Sequence, residues 1–86
     1  MYKVGWRDVA LDRLADVFVA ADPAVRDRIE RAVAGLNTRL AADPFAEGES
    51  RDRGQRIAFI DQLVVHFEVD AAAGTVRVYY AARYGR

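Results

Sequence analysis

Apolar residues recur along this chain on two different periods, and the change of period divides it. From Val9 to about Ala21 they fall at Ala10/Leu11, Leu14, Val17/Phe18 and Ala21, three- and four-residue steps that make one buried stripe on a helix. Asp8 stands where it can cap that helix. Asp22-Pro23 then announces a second helix, with an aspartate cap and a proline at the first helical position, where a missing N–H costs nothing. This helix runs to about Ala42. Val25, Ile29, Ala32/Val33, Leu36 and Leu40 form its apolar stripe, and Arg26, Asp27, Glu30 and Arg31 face water. Asp43-Pro44 ends it. Two amphipathic helices joined this tightly predict an antiparallel hairpin.

On either side of the helices the period is two. Tyr2, Val4 and Trp6 alternate with Lys3 and Gly5, which predicts a short half-buried strand. After a polar loop from Phe45 to Gly54, strands are predicted at Gln55–Ile60, Leu63–Asp70 and Thr75–Ala82. Asp61-Gln62 and Ala71–Gly74 supply the reversals. In the middle strand Leu63, Val65, Phe67 and Val69 share one face, and Val64, His66, Glu68 and Asp70 share the other. In the last strand the same alternation sends Val76, Val78 and Tyr80 inward and Arg77 and Tyr79 outward. Of the remaining aromatics, Tyr2, Trp6, Phe18, Phe45, Phe59 and Phe67 are expected in the core. The predicted order is β-α-α-β-β-β, an α+β fold. A helical hairpin covers one face of a small, mostly antiparallel sheet, because both helix stripes and the apolar sheet face need a partner. The other face stays open.

Composition narrows the class further. The 86 residues fit a single domain spanning 1–86, with a modest core. With 52% hydrophobic and 30% charged residues the chain is globular rather than disordered. No apolar run approaches the roughly 20 residues that span a bilayer, and the first residues lack the pattern of a secretory signal. The expectation is a cytoplasmic protein without a membrane partner, and the lack of cysteine agrees. One histidine and no cysteine predict neither a metal site nor a cofactor that would need one. Formal net charge is zero, yet unevenly spread. Residues 1–50 carry seven Lys/Arg against nine Asp/Glu, a net of −2, and residues 51–86 carry six Arg against four acids, a net of +2. Twelve of the thirteen cations are arginine, the side chain best suited to bidentate phosphate contacts.

Several features together resemble the RelE/ParE superfamily of bacterial toxin–antitoxin toxins. They are the second helix ending in Leu40-Ala-Ala-Asp43-Pro44, the loop with Gly48 and Arg51, and the strand around Arg56-Ile57. The Leu63–Val69 strand and the ending Thr75-Val-Arg-Val with Gly85-Arg86 complete the set. The resemblance extends over nearly the whole chain. It implies a cognate antitoxin as partner, and a weak homodimer when the protein is alone. It also implies one of two actions. The RelE branch cleaves mRNA on the ribosome as a metal-independent endoribonuclease, inhibiting translation; the ParE branch poisons DNA gyrase. An antitoxin-binding member with neither activity is a further alternative. Arg51 and Arg53 match the basic loop residues of the RelE branch, whereas Val64 stands where that branch carries an arginine.

Metal-free cleavage of RNA requires a proton to leave the 2′-OH, another to reach the 5′-oxygen, and cations to steady the phosphate. His66 is the natural proton carrier. By alternation it shares a face with Glu68, and in-register pairing adds Arg77 and Tyr79, with Arg56 joining from the preceding strand. The expected catalytic set is therefore His66, Arg56, Arg77 and Tyr79. Arg51, Arg53, Arg83, Tyr84 and Arg86 are the expected RNA contacts. The competing bland reading makes Arg56, Glu68 and Arg77 cross-strand ion pairs and leaves His66 an ordinary surface residue.

Overall fold

The structure, a computed structural model, describes residues 1–84. Strand β1 (Lys3–Trp6) is followed by helices α1 (Asp8–Ala20) and α2 (Pro23–Ala42), a two-residue strand β2 (Glu49–Ser50), and strands β3 (Gln55–Ile60), β4 (Leu63–Asp70) and β5 (Thr75–Arg83). The strands form one sheet in the order β1-β5-β4-β3-β2, with β1 parallel to β5 and the other pairs antiparallel. The two helices lie on the crossover that a parallel β1–β5 pair demands, while tight turns suffice for the antiparallel strands. Asp61 takes a left-handed φ of 48° in the β3–β4 turn, a conformation aspartate tolerates better than most residues. No helix among the described residues is long and apolar enough to cross a membrane.

Both helices pack on one sheet face, as the two apolar stripes require. Ala10, Leu14 and Val17 from α1 and Ile29, Leu36 and Leu40 from α2 join Ala58, Leu63, Val65, Phe67, Val76 and Val78 in one buried cluster. Phe67, at the centre of the sheet, is fully buried. Burial of a side chain this size contributes roughly 1.5–3 kcal/mol through its apolar surface. Trp6, half-buried, reaches across to α2 and donates from Nε1 to Asn37 Oδ1 at 2.8 Å. Asp22 caps α2 as its sequence promised, accepting from the Val25 amide at 3.0 Å. Arg26 ties the helix junction by donating to the carbonyls of Phe18 and Ala21, both at 3.1 Å.

Four expectations change. Asp8 is the first helical residue of α1 rather than its cap, which is Arg7 with no side-chain capping bond. An acid in that first turn still favours the positive end of the helix dipole. Strand β2 is additional, formed where the polar loop lies against β3 and pairs Glu49 with Ile57 and Ser50 with Arg56. Phe45 and Phe59 are about half exposed instead of core. Phe45 packs edge-on to Tyr2 with centroids 6.3 Å apart, and Phe59 projects from the face opposite the helices. The fourth change, at Tyr80, concerns the open face.

Gly48 lets the loop lie this close to β3. Its φ is +69°, and a Cβ here would come within 2.5 Å of the Ile57 carbonyl oxygen. Gly48→Ala is therefore expected to cost about 2 kcal/mol or more, from left-handed strain and backbone overlap together. Equilibrium urea denaturation checks this; a loss under about 0.5 kcal/mol would mean the loop is not pinned at Gly48.

Candidate functional site

The alternation of β4 decides what the open face carries. Leu63, Val65 and Phe67 are buried against the helices, so Val64, His66 and Glu68 project from the other side. Cross-strand pairing brings Ile57 beside His66 from β3, and Arg77 beside Glu68 from β5. Arg77 and Glu68 make an ion pair at 3.6 Å with both side chains well exposed, an arrangement worth little in stability.

A bulge between β4 and β5 reshapes the site. Phe67 pairs with Val78, but the next residue back, His66, pairs with Tyr80, so Tyr79 is the extra residue of the bulge. Strict alternation would have buried Tyr80. Instead the phase of β5 shifts by one, Ala81 takes the buried position, and both tyrosines stand against the histidine. The His66 and Tyr80 rings meet edge to face with centroids 5.1 Å apart, and His66 and Tyr79 do the same at 6.0 Å. From α1, the Arg13 guanidinium lies over the Tyr80 ring, 5.1 Å from its centroid, a cation–π contact. Tyr80 and Arg13 are the residues that sequence reasoning missed. The signal was present in Val76-Arg77-Val78-Tyr79-Tyr80-Ala81, where two adjacent tyrosines break an otherwise regular alternation.

Beside this cluster the loop supplies Arg51. A shallow cleft of about 570 Å³ is lined by Ser50, Arg51, Asp52, Gln55, Ile57, His66 and Tyr79. The Arg51 amide donates to the Gln55 carbonyl at 2.7 Å, which anchors the loop to the start of β3. Its guanidinium contacts Glu49 at 3.2 Å. Burial lowers the His66 pKa below its ordinary 6.5, and the nearby Arg51 charge lowers it further. The imidazole is thus neutral at physiological pH and able to accept a proton. Burial, and then Glu68, raise the Tyr79 pKa above 10, so its phenol keeps its proton.

Of the expected catalytic residues, His66, Tyr79 and Arg77 share this face and Arg56 does not. Arg56 is paired with Phe67 and lies on the opposite parity of β3. Its guanidinium donates to the carbonyls of Glu47 at 2.9 Å, Phe45 at 3.1 Å and Gly48 at 3.3 Å. It binds the loop from the helix-side parity of the sheet. Gln55-Arg56-Ile57-Ala58-Phe59-Ile60 misleads because two of its three large apolar residues, Ile57 and Phe59, face outward, while Ala58 and Ile60 join the core on the helix side.

Of the expected RNA contacts, Arg51 borders the His66 cleft and Arg53 borders a second depression with Glu68, Asp70 and Arg77. Arg83 pairs with Leu63 and so stands on the helix-side parity of β5, away from the cleft. Tyr84 lies over Phe59 with centroids 4.7 Å apart. With Val64 and Ala82, which pair with one another, these rings make the far half of the open face apolar. Arg86 lies outside the described residues. Among those described, no three His, Cys, Asp or Glu side chains are placed to hold a metal ion.

The fold has clear relatives among solved structures. The chain is similar to the chromosomal ParDE toxin–antitoxin system of P. aeruginosa at 15% identity, with a TM-score of 0.75 over 99% of this chain and 98% of that one. It is similar to the toxin–antitoxin complex RelBE2 of Mycobacterium tuberculosis at 21% identity, with a TM-score of 0.74 and coverage of 95% and 96%. The isolated E. coli RelE toxin superposes with a TM-score of 0.65 at 12% identity, covering all of this chain and 87% of that one. No protein-family model and no curated protein matches the sequence. The architecture, two helices on a mixed five-stranded sheet, is that of the toxin–antitoxin toxins. More narrowly, it is the RelE/ParE fold, as the sequence motifs implied.

Two outcomes follow from the geometry. Arg56→Ala should cost about 1–3 kcal/mol in urea denaturation, because three carbonyls lose a charged donor. Arg56→Lys should restore only part of this, since an ammonium cannot span the three acceptors. In an NMR titration, His66 should show a pKa below 6.5. Arg51→Ala should move it only part of the way back, because burial is the larger cause. A His66 pKa at or above 6.5 in the unmodified chain would contradict the assigned environment.

Proposed function

We propose that the protein is the toxin of a toxin–antitoxin pair, restrained by a cognate antitoxin, and that it cleaves mRNA on the ribosome through the His66 cleft. The observation that carries the chemistry is a neutral histidine bordered by a protonated tyrosine and an arginine on an open sheet face. His66 takes the proton from a ribose 2′-OH, and the freed oxygen attacks the adjacent phosphorus. The bond from phosphorus to the 5′-oxygen breaks as Tyr79 gives that oxygen a proton. The products are a 2′,3′-cyclic phosphate and a 5′-hydroxyl, and no metal is required. Arg51 offsets the charge that gathers on the phosphate. Arg77, held by Glu68, contributes less. The likeness to toxin–antitoxin structures supports the biological setting.

A second reading draws on a different observation. Arg56 is committed to loop carbonyls, and Val64, Phe59, Ala82 and Tyr84 leave half the open face apolar. Such a surface suits a protein target, and a ParE-like poison of DNA gyrase would use it.

One experiment separates the readings. Purified protein is added to a cell-free translation reaction, and mRNA 5′ ends are mapped with and without ribosomes. Cleavage that requires ribosomes and falls at least 100-fold in His66→Ala supports the ribonuclease. The rate should rise with pH through a His66 pKa below 6.5 and level off by neutrality, since the base form is the active one. Intact mRNA together with inhibited gyrase supercoiling would replace it with the second reading.

A further inference from the structure

The sheet face that carries His66 does not end at β5. Strand β1 extends it by one strand, with Lys3 beside Thr75 and Gly5 beside Arg77. By alternation Lys3, Gly5 and Arg7 project on the same side as Arg77 and Glu68. Gly5 leaves this stretch without a side chain: a Cβ built there would meet nothing within 4 Å. The result is a trough of about 270 Å³, floored by the backbone around Gly5 and flanked by Lys3, Arg7 and Arg77. It shares Thr75 and Arg77 with the depression that Arg53 borders, and Arg51 and His66 lie beyond. From β1 to β3 the face spans about 14 Å, three strand spacings of about 4.8 Å each.

The charges along this line differ in their availability. Glu68 is engaged with Arg77, and Asp70 accepts from the Ala73 amide at 3.0 Å. Lys3 and Arg7 are exposed and form no ion pair among the described residues. Two free cations beside an empty floor fit a linear polyanion with bulk between its charges. A globular acidic partner would not need the missing side chain at Gly5.

We propose that this β1 trough holds the sugar–phosphate backbone of the nucleotides adjoining the cleavage point. Single-stranded RNA would run from Arg51 and His66 across Arg77 to Lys3 and Arg7. The inference rests on the ribonuclease reading and adds a second subsite to it, remote from the reacting atoms. Gly5 serves it by being small, Lys3 and Arg7 by charge.

The test uses the full chain and labelled 2′-O-methyl single strands of three and six nucleotides, read by fluorescence anisotropy. In the unmodified protein the longer strand should bind at least tenfold tighter. Lys3→Ala with Arg7→Ala should remove most of that advantage and make the slope of log affinity against log salt shallower by about 1.4, from about 0.7 per phosphate. Gly5→Val, a substitution that favours a strand and whose Cβ meets no neighbour within 4 Å, should weaken the longer strand while leaving thermal stability intact. If both variants bind like the unmodified protein, the trough holds no RNA, while the ribonuclease reading stands. If they lose affinity for the antitoxin instead, the surface is a protein contact and the inference is overturned. If the unmodified protein binds neither strand and cleaves nothing, the ribonuclease reading has failed and the subsite with it.

Discussion

The arrangement of the open face depends on one local irregularity, the extra residue in β5 opposite His66. A regular strand would have kept Tyr80 in phase with Val76 and Val78, buried beneath the helices. The bulge resets that phase, so a small Ala81 enters the core and two aromatic rings leave it. The core has reason to favour this. Leu63, Val65, Val78 and Phe67 are already fully buried beneath α1 and α2, and interiors of native density have little room for a tyrosine and its hydroxyl. The same step that relieves the interior gives His66 its aromatic neighbours. Packing on one face thus sets the chemistry of the other.

The loop between α2 and β3 adds a second constraint. Arg56 points away from the site, yet by holding the carbonyl groups of Phe45, Glu47 and Gly48 it fixes the path that delivers Arg51 to the cleft rim. Gly48 permits the close approach, and the short β2 pairing sets the register. An arginine used as a donor to backbone carbonyls does for the loop what a turn of helix would do for a longer segment. It satisfies acceptors that would otherwise face partial burial.

Much of this was legible in the chain. The helices, their order, the cap at Asp22 and four of the five strands follow from period and turn chemistry, because those signals are local. The phase of β4 was legible for the same reason, and with it the outward placement of His66 and Glu68. What escaped depended on matches between distant segments. The bulge arises from the fit of β5 to both β4 and the helices. The side on which Arg56 falls depends on Ala58 and Ile60, rather than Ile57 and Phe59, joining the core beneath the helices. Phe59 looked like a core residue because composition cannot tell which face of a strand a helix will choose.

The parallel pairing of β1 with β5 also bears on how the chain acquires its shape. Lys3 finds its partner only at Thr75, so this pair closes nearly the whole length of the described chain in one loop. Contacts of such separation form late and slowly, since the entropy of closure must be met before they contribute. During synthesis, β1 waits without a strand partner until β5 emerges, and His66 waits for both its tyrosines. The open face therefore cannot take this form until the residues of β5 have been made. A partner that recognises the paired sheet would therefore meet the chain only after its two most distant strands have come together.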